Sequence, residues 1–204
     1  MTGMKTRGWM LAAAAALFAF GAAAQTAQPS RVRGTIEKIE GQNLAVKSRD
    51  GGLVDIKLAD KLAVTGVVKA KLADVAVGNF VGIAALPQKD GSLKAVEVLI
   101  FPEAARGSNE GHYGWDLMPE STMTNATVAE RVSGVDGPTL TLKYKDGVTK
   151  ITVPPEAPVV TFAPGDRALL TPGAGVFVPA TKQADGTLAA AHILVGKDGV
   201  MPPM

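Results

Sequence analysis

The chain contains no cysteine. That excludes a disulfide scaffold, thiol catalysis, a lipid-modified cysteine and every zinc or iron–sulfur site built on thiolates. Histidine is nearly absent too, with two in 204 residues, which limits any imidazole metal site or acid–base pair. There is no Gly-x-Ser-x-Gly elbow, no phosphate-cradling glycine loop ending in Lys-Ser/Thr and no His-Glu-x-x-His, so no catalytic residue is assigned. Excess charge is also lacking. With Lys5 and Arg7 set aside, 21 − 2 = 19 basic residues face 19 acidic ones. Neutrality argues against a nucleic-acid partner, whose phosphates select a basic surface.

The sequence has one long apolar run, and it lies at the start. Lys5 and Arg7, a nearly unbroken apolar stretch over 9–20, and Ala22-Ala23-Ala24 read as a signal peptide spanning 1–24, with cleavage before Gln25. An uncleaved anchor competes, because the uncharged run from Gly8 to Ala24 approaches the roughly 20 residues of a spanning helix. The favoured reading makes the mature protein periplasmic or secreted, with no stable membrane insertion after signal cleavage.

The rest of the chain is one pattern written twice. Leu44-Ala45-Val46-Lys47 faces Leu140-Thr141-Leu142-Lys143 at an offset of 96, and Asp55-Ile56-Lys57-Leu58 faces Lys150-Ile151-Thr152-Val153 at 95. Gln88-Lys89-Asp90-Gly91-Ser92-Leu93 likewise faces Gln183-Ala184-Asp185-Gly186-Thr187-Leu188. Self-similarity at a fixed offset marks a repeated structural unit. Within each unit, apolar residues alternate with polar ones, as in Val54-Ile56-Leu58 and Val81-Ile83-Ala85, and Asp-Gly pairs punctuate the runs as hairpin turns. Lys69 to Val77 breaks the rhythm as a helical turn or two, which proline and glycine deny to the second unit. The pattern predicts an all-β protein of two tandem OB-like antiparallel barrels of five to six strands, at 31–101 and 127–197. A structured linker at 102–126 joins them, and a flexible tail occupies 198–204. An open sandwich remains the alternative architecture.

Several segments resemble a family of secreted bacterial proteins of unknown function with OB-like β repeats. They are Gly34-Thr35-Ile36, Asn43-Leu44-x-Val46, Val77-Gly78-Asn79-Phe80-Val81 and the Asp-Gly-Ser-Leu-x-Ala close. Phe101-Pro102-Glu103-x-x-Arg106-Gly107 through Glu110-Gly111-His112-x-x-Trp115-Asp116 to Thr127 is similar to the segment joining such repeats. The resemblance implies fold and export and brings no activity. The second unit departs from it at Pro154-Pro155 and at Pro172-Gly173-Ala174-Gly175.

The copies differ in what lies between them. That segment concentrates Glu110, His112, Tyr113, Trp115 and Asp116, the candidate ligand-binding residues of a non-enzymatic binding or assembly module whose partner is an envelope protein or an exported small ligand. A second reading makes Tyr113 and Trp115 a plug between two small cores, with Asp116 and Glu110 capping backbone amides. A third assembles a divalent metal site from His112, Glu110 and Asp116, joined by His192, or a Cu(I) site from Met118, Met123, Met201 and Met204. An enzyme of unassigned chemistry is the remaining alternative. Glu97 and His192, equivalent in the two units, are expected on solvated strand faces. Phe80, Phe101, Phe162 and Phe177 are expected in the cores.

Overall fold

A computed structural model describes residues 29–202; the expected signal peptide and Met204 lie outside them. The described residues form twelve strands: β1 (Pro29–Glu40), β2 (Asn43–Ser48), β3 (Leu53–Lys69), β4 (Phe80–Pro87), β5 (Leu93–Ile100), β6 (Gly111–Gly114), β7 (Thr122–Val132), β8 (Thr139–Tyr144), β9 (Gly147–Thr152), β10 (Val159–Pro164), β11 (Gly175–Lys182) and β12 (Leu188–Gly196). The protein is all-β, as its alternation predicts. Turns match the repeat closely. Asp90 accepts from Ser92 N at 3.0 Å and Ser92 Oγ at 2.7 Å, and Asp185 makes the same pair of bonds to Thr187. The next glycines, Gly91 and Gly186, take φ of 82° and 86°, which only glycine adopts without strain.

A closed five-stranded barrel is made by β1, β2, β3, β12 and β11, each pairing with the next and β11 returning to β1. It encloses Ile36, Leu44, Val46, Ile56, Leu58, Val176, Val178 and Ile193. Strands β4, β5, β7, β8 and β9 curl around a second core of Ile83, Val98, Val128, Leu140, Leu142 and Ile151, where β5 and β9 meet at two parallel residue pairs. The strands therefore do not sort as consecutive modules. Instead of 31–101 closing on itself, its first three strands are completed by the last two strands of 127–197. Tandem closure gives way to exchange because β3 runs for 17 residues. Its last residues, Thr65–Lys69, pair with β10 and carry the chain on to β4 and β5 in the neighbouring body.

The counterpart of β3 in the second copy is broken in two. Pro154, Pro155 and Pro158 lie between β9 and β10 and supply no N–H to a ladder. β10 nevertheless crosses back, pairing antiparallel with β3 so that Val67 lies opposite Phe162. Those residues are 162 − 67 = 95 positions apart, the repeat offset, so β3 and β10 meet at equivalent points about a pseudo-two-fold axis. The flanking pairs obey the same symmetry: Val98 with Val159, and Ile193 with Val64. A third core fills this seam, with Val67, Leu99, Val160, Phe177, Leu194 and Val200 backed by Phe101, Trp115 and Phe162.

Three local expectations change. The helical interruption is a single 3₁₀ turn, Leu72–Asp74, and the second unit has its equivalent at Arg167–Leu169, because three residues fit between the flanking prolines and Asp166 accepts from Ala168 N at 2.8 Å. Glu97 is buried and His192 half-buried, since both strands are covered at the seam. The tail packs down: Lys197 N donates to Val67 O at 2.9 Å and Val200 is 7% exposed in the seam core. Phe80 and Phe177 are buried as expected.

Exchange of strands predicts one unfolding unit. Trp115 fluorescence, which reports on the seam, and far-ultraviolet circular dichroism, which reports on all strands, are expected to give a single coincident urea transition. Leu99→Ala should lower stability by about 2–5 kcal/mol while keeping the two signals coincident. Separate transitions would mean that the two bodies unfold independently.

Candidate functional site

The inter-repeat segment is tied down at both ends before it reaches the seam. Arg106 clamps Glu103 through both carboxylate oxygens, at 2.5 and 2.7 Å, and donates to Gly78 O at 2.9 Å. Further on, β6 adds to the edge of β7, and the next turn closes on itself. Trp115 N donates to Ser121 O at 2.7 Å, and the buried Ser121 hydroxyl lies 2.9 Å from Trp115 O and 2.8 Å from Met118 O. A loop so bonded holds its aromatic side chains in one place.

Alternation along β6 separates the residues that the sequence groups together. His112 faces away from the seam, its Nδ1 2.8 Å from Thr124 Oγ1 and its ring stacked on Tyr144 at 6.3 Å. Tyr113 turns the other way and meets Trp115 edge-on at 6.1 Å. Trp115 lies against the seam core, as the plug reading expects. Asp116 caps no helix or turn in that reading's sense; it pairs with Arg33 at 2.8 Å and Arg31 at 3.4 Å. The Arg31 guanidinium lies over the Trp115 ring at 4.1 Å, and Arg33 lies 5.0 Å from the Phe177 ring. Arg31 and Arg33 reach the segment together because they are two apart on β1 and share a face.

Between this platform and the barrels is a cleft of about 610 Å³. Its floor is aromatic, from Phe101, Phe162 and Phe177. Tyr113, Trp115 and Glu110 stand on one side, and Arg31, Asn125 and His192 complete the wall. The floor depends on Gly82, where a Cβ would come within 3.0 Å of the Phe101 ring and 2.8 Å of Asn125 Oδ1. The residue 95 positions later is Phe177, so the two-fold is broken here: a ring projects on one side and room for another is left on the other. Two residues of the cleft also carry a buried polar atom with no hydrogen-bond partner among the described residues, Trp115 Nε1 and Asn125 Oδ1. Each such atom costs about 1–3 kcal/mol if left unmet.

The electrostatics are set by burial and by arginine. Burial raises the Asp116 carboxyl, but the Arg33 hydrogen bond and the charges of Arg33 and Arg31 outweigh it and hold its pKa below the ordinary value. Burial pushes the Tyr113 hydroxyl up, opposed in part by Arg31. Burial also lowers the His192 imidazole, whose Nε2 lies 3.0 Å from Thr65 Oγ1. Of the candidate residues, Glu110, Tyr113 and Trp115 come together, joined by His192. Asp116 borders the adjoining cavity and His112 is on the far face. The proposed metal ligands thus do not converge. Among the described residues no group of three His, Cys, Asp or Glu is placed to share an ion, and Met118, Met123 and Met201 border different cavities.

The sequence reading missed Arg31, Arg33 and Asn125. The available signal was a pair of arginines at alternate positions, 31 and 33, of the first expected strand. The β-bulges at Ile36/Lys38 and Val128/Glu130 align Ile36 with Val128, which sets Arg31 and Arg33 against Met123 and Asn125 in the other copy. Searches against protein-family models, curated proteins and solved structures give no match.

The Asp116 pair has a predictable pH dependence. Its contribution is complete above the unfolded carboxyl pKa of about 3.9 and is lost as pH falls through the lower folded value. Asp116→Asn should therefore be less stable than the parent at neutral pH by about 1 kcal/mol. Urea midpoints measured at neutral and acid pH should show the difference shrinking below about pH 4.

Proposed function

We propose that the protein is a non-enzymatic, exported binding module in which two OB-like barrels exchange their last two strands and hold a small organic ligand at their seam. Five short strands closing in the order β1–β2–β3–β12–β11, with β12 parallel to β3, match the outline of an OB-like barrel. The second body repeats that order with β7, β8, β9, β5 and β4. The resemblance to exported OB-like repeat proteins supports the same reading, and so does the signal-like start of the chain.

The observation that carries the function is the cleft. A volume of about 610 Å³ falls within the roughly 300–1,000 Å³ of small-molecule sites, which combine apolar walls with a few fixed polar groups. Here the walls are rings and the polar groups are Arg31, Glu110, Asn125 and His192. The segment that the repeats do not share supplies one side of the cleft, with Glu110, Tyr113, Trp115 and Asn125.

A thermal-shift screen of small amphipathic compounds against residues 25–204 tests the reading. A ligand present at about 100 times its Kd stabilises by about 2.7 kcal/mol, several degrees in Tm for a chain of this size. Active compounds should lose most of their effect on Tyr113→Ala, which shortens a cleft wall. If no compound raises Tm, or if Tyr113→Ala responds as fully as the parent, the cleft is not a binding site.

A further inference from the structure

We infer that the cleft selects an organic anion, with a flat apolar body lying on its rings and an oxyanion, such as a carboxylate, held by Arg31. This rests on the reading of the cleft as a binding site and adds the chemistry of what enters it.

The position of Arg31 carries the inference. Beside the aromatic cleft lies a second cavity of about 650 Å³, and Ser30 and Arg31 are the two residues that border both. The second cavity is polar where the first is apolar: it gathers Arg31, Arg33 and Arg49 against Asp50 and Asp116. A ligand lying on the rings thus meets positive charge where the two spaces join. Of the three arginines, Arg33 is buried and tightly paired with Asp116 at 2.8 Å, and Arg49 donates to Leu117 O at 3.1 Å. Arg31 is differently held. Its side chain is 34% exposed, it reaches Asp116 at 3.4 Å, and its guanidinium plane is steadied by the Trp115 ring.

An arginine carries five N–H donors in a fixed fork, so one long ion pair engages only part of it. Stacking on Trp115 keeps that fork oriented without using the donors. Ser30 borders the same junction. Glu110 stands on the loop side of the cleft and repels an anion there, so the charged end has one favourable direction, toward Arg31. The arrangement has no copy elsewhere in the repeat, since Met123 takes the place of Arg31 in the other unit.

A matched pair of probes tests this: naphthalene-1-acetate and its neutral amide, titrated into ¹⁵N-labelled protein. The Trp115 indole N–H and the Arg31 Nε–H are the reporters. Both signals should move with the carboxylate, and its Kd should be lower than that of the amide by about tenfold or more, the scale of a charge-assisted hydrogen bond. Arg31→Gln should bring the carboxylate down to the affinity of the amide, and Arg31→Lys should recover part of the difference. Equal affinities for the two probes in the parent protein would overturn the anion inference while leaving the cleft reading intact. If neither probe moves the Trp115 signal, both fail.

Discussion

The antiparallel ladder between β3 and β10, with Val67 opposite Phe162, is the constraint on which the rest depends. Two copies of one unit meet there at equivalent residues, so every neighbouring contact is imposed twice. β12 must lie parallel to β3, and β5 parallel to β10. Once those strands are placed, neither unit can keep its own last two strands, and each body is finished by the other. Strand exchange within one chain has an energetic reason. A unit of about 70 residues is near the lower limit for an independent core, and the exchange adds a third core between the two.

The seam also explains why the one unrepeated segment is where it is. Breaking the pseudo-symmetry takes residues that one side has and the other lacks, and the segment between β5 and β7 supplies them. Tail and segment both cover the seam: Val200 packs into its core, and Trp115 lies against the same cluster. The segment does more than cover it. Asp116 compensates a buried arginine, Trp115 orients a more exposed one, and Gly82 leaves space for Phe101, so a covering loop becomes the wall of a cleft. Plug and binding site are therefore the same structure viewed from its two sides.

Strand positions, hairpin turns and the barrel cores were legible in the sequence because alternation and Asp-Gly chemistry are local. The exchange was not, since a strand's sequence encodes which face is apolar and says little about which copy of an equivalent partner it pairs with. The length of β3 was hidden as well: Asp60 and Gly66 interrupt its apolar residues and read locally as breaks, although the strand runs on to Lys69. At the site, Tyr113 and Trp115 were legible as large aromatics on a connecting segment. His112 was misplaced for a physical reason, since a four-residue strand throws its neighbours to opposite faces. Arg33 and Glu97 were unexpected because burial of a charged residue is decided by tertiary partners that lie far away in the chain.

The strand exchange is tested most directly by inter-strand backbone NOEs on uniformly labelled protein. Val32 pairs with Val178 in the exchanged arrangement. The residue 95 positions before Val178 is Ile83, which would be its partner if the first unit closed on itself. The account predicts cross-strand NOEs between Val32 and Val178 and none between Val32 and Ile83. Contacts between Val32 and Ile83 would contradict it and return the protein to two consecutive barrels.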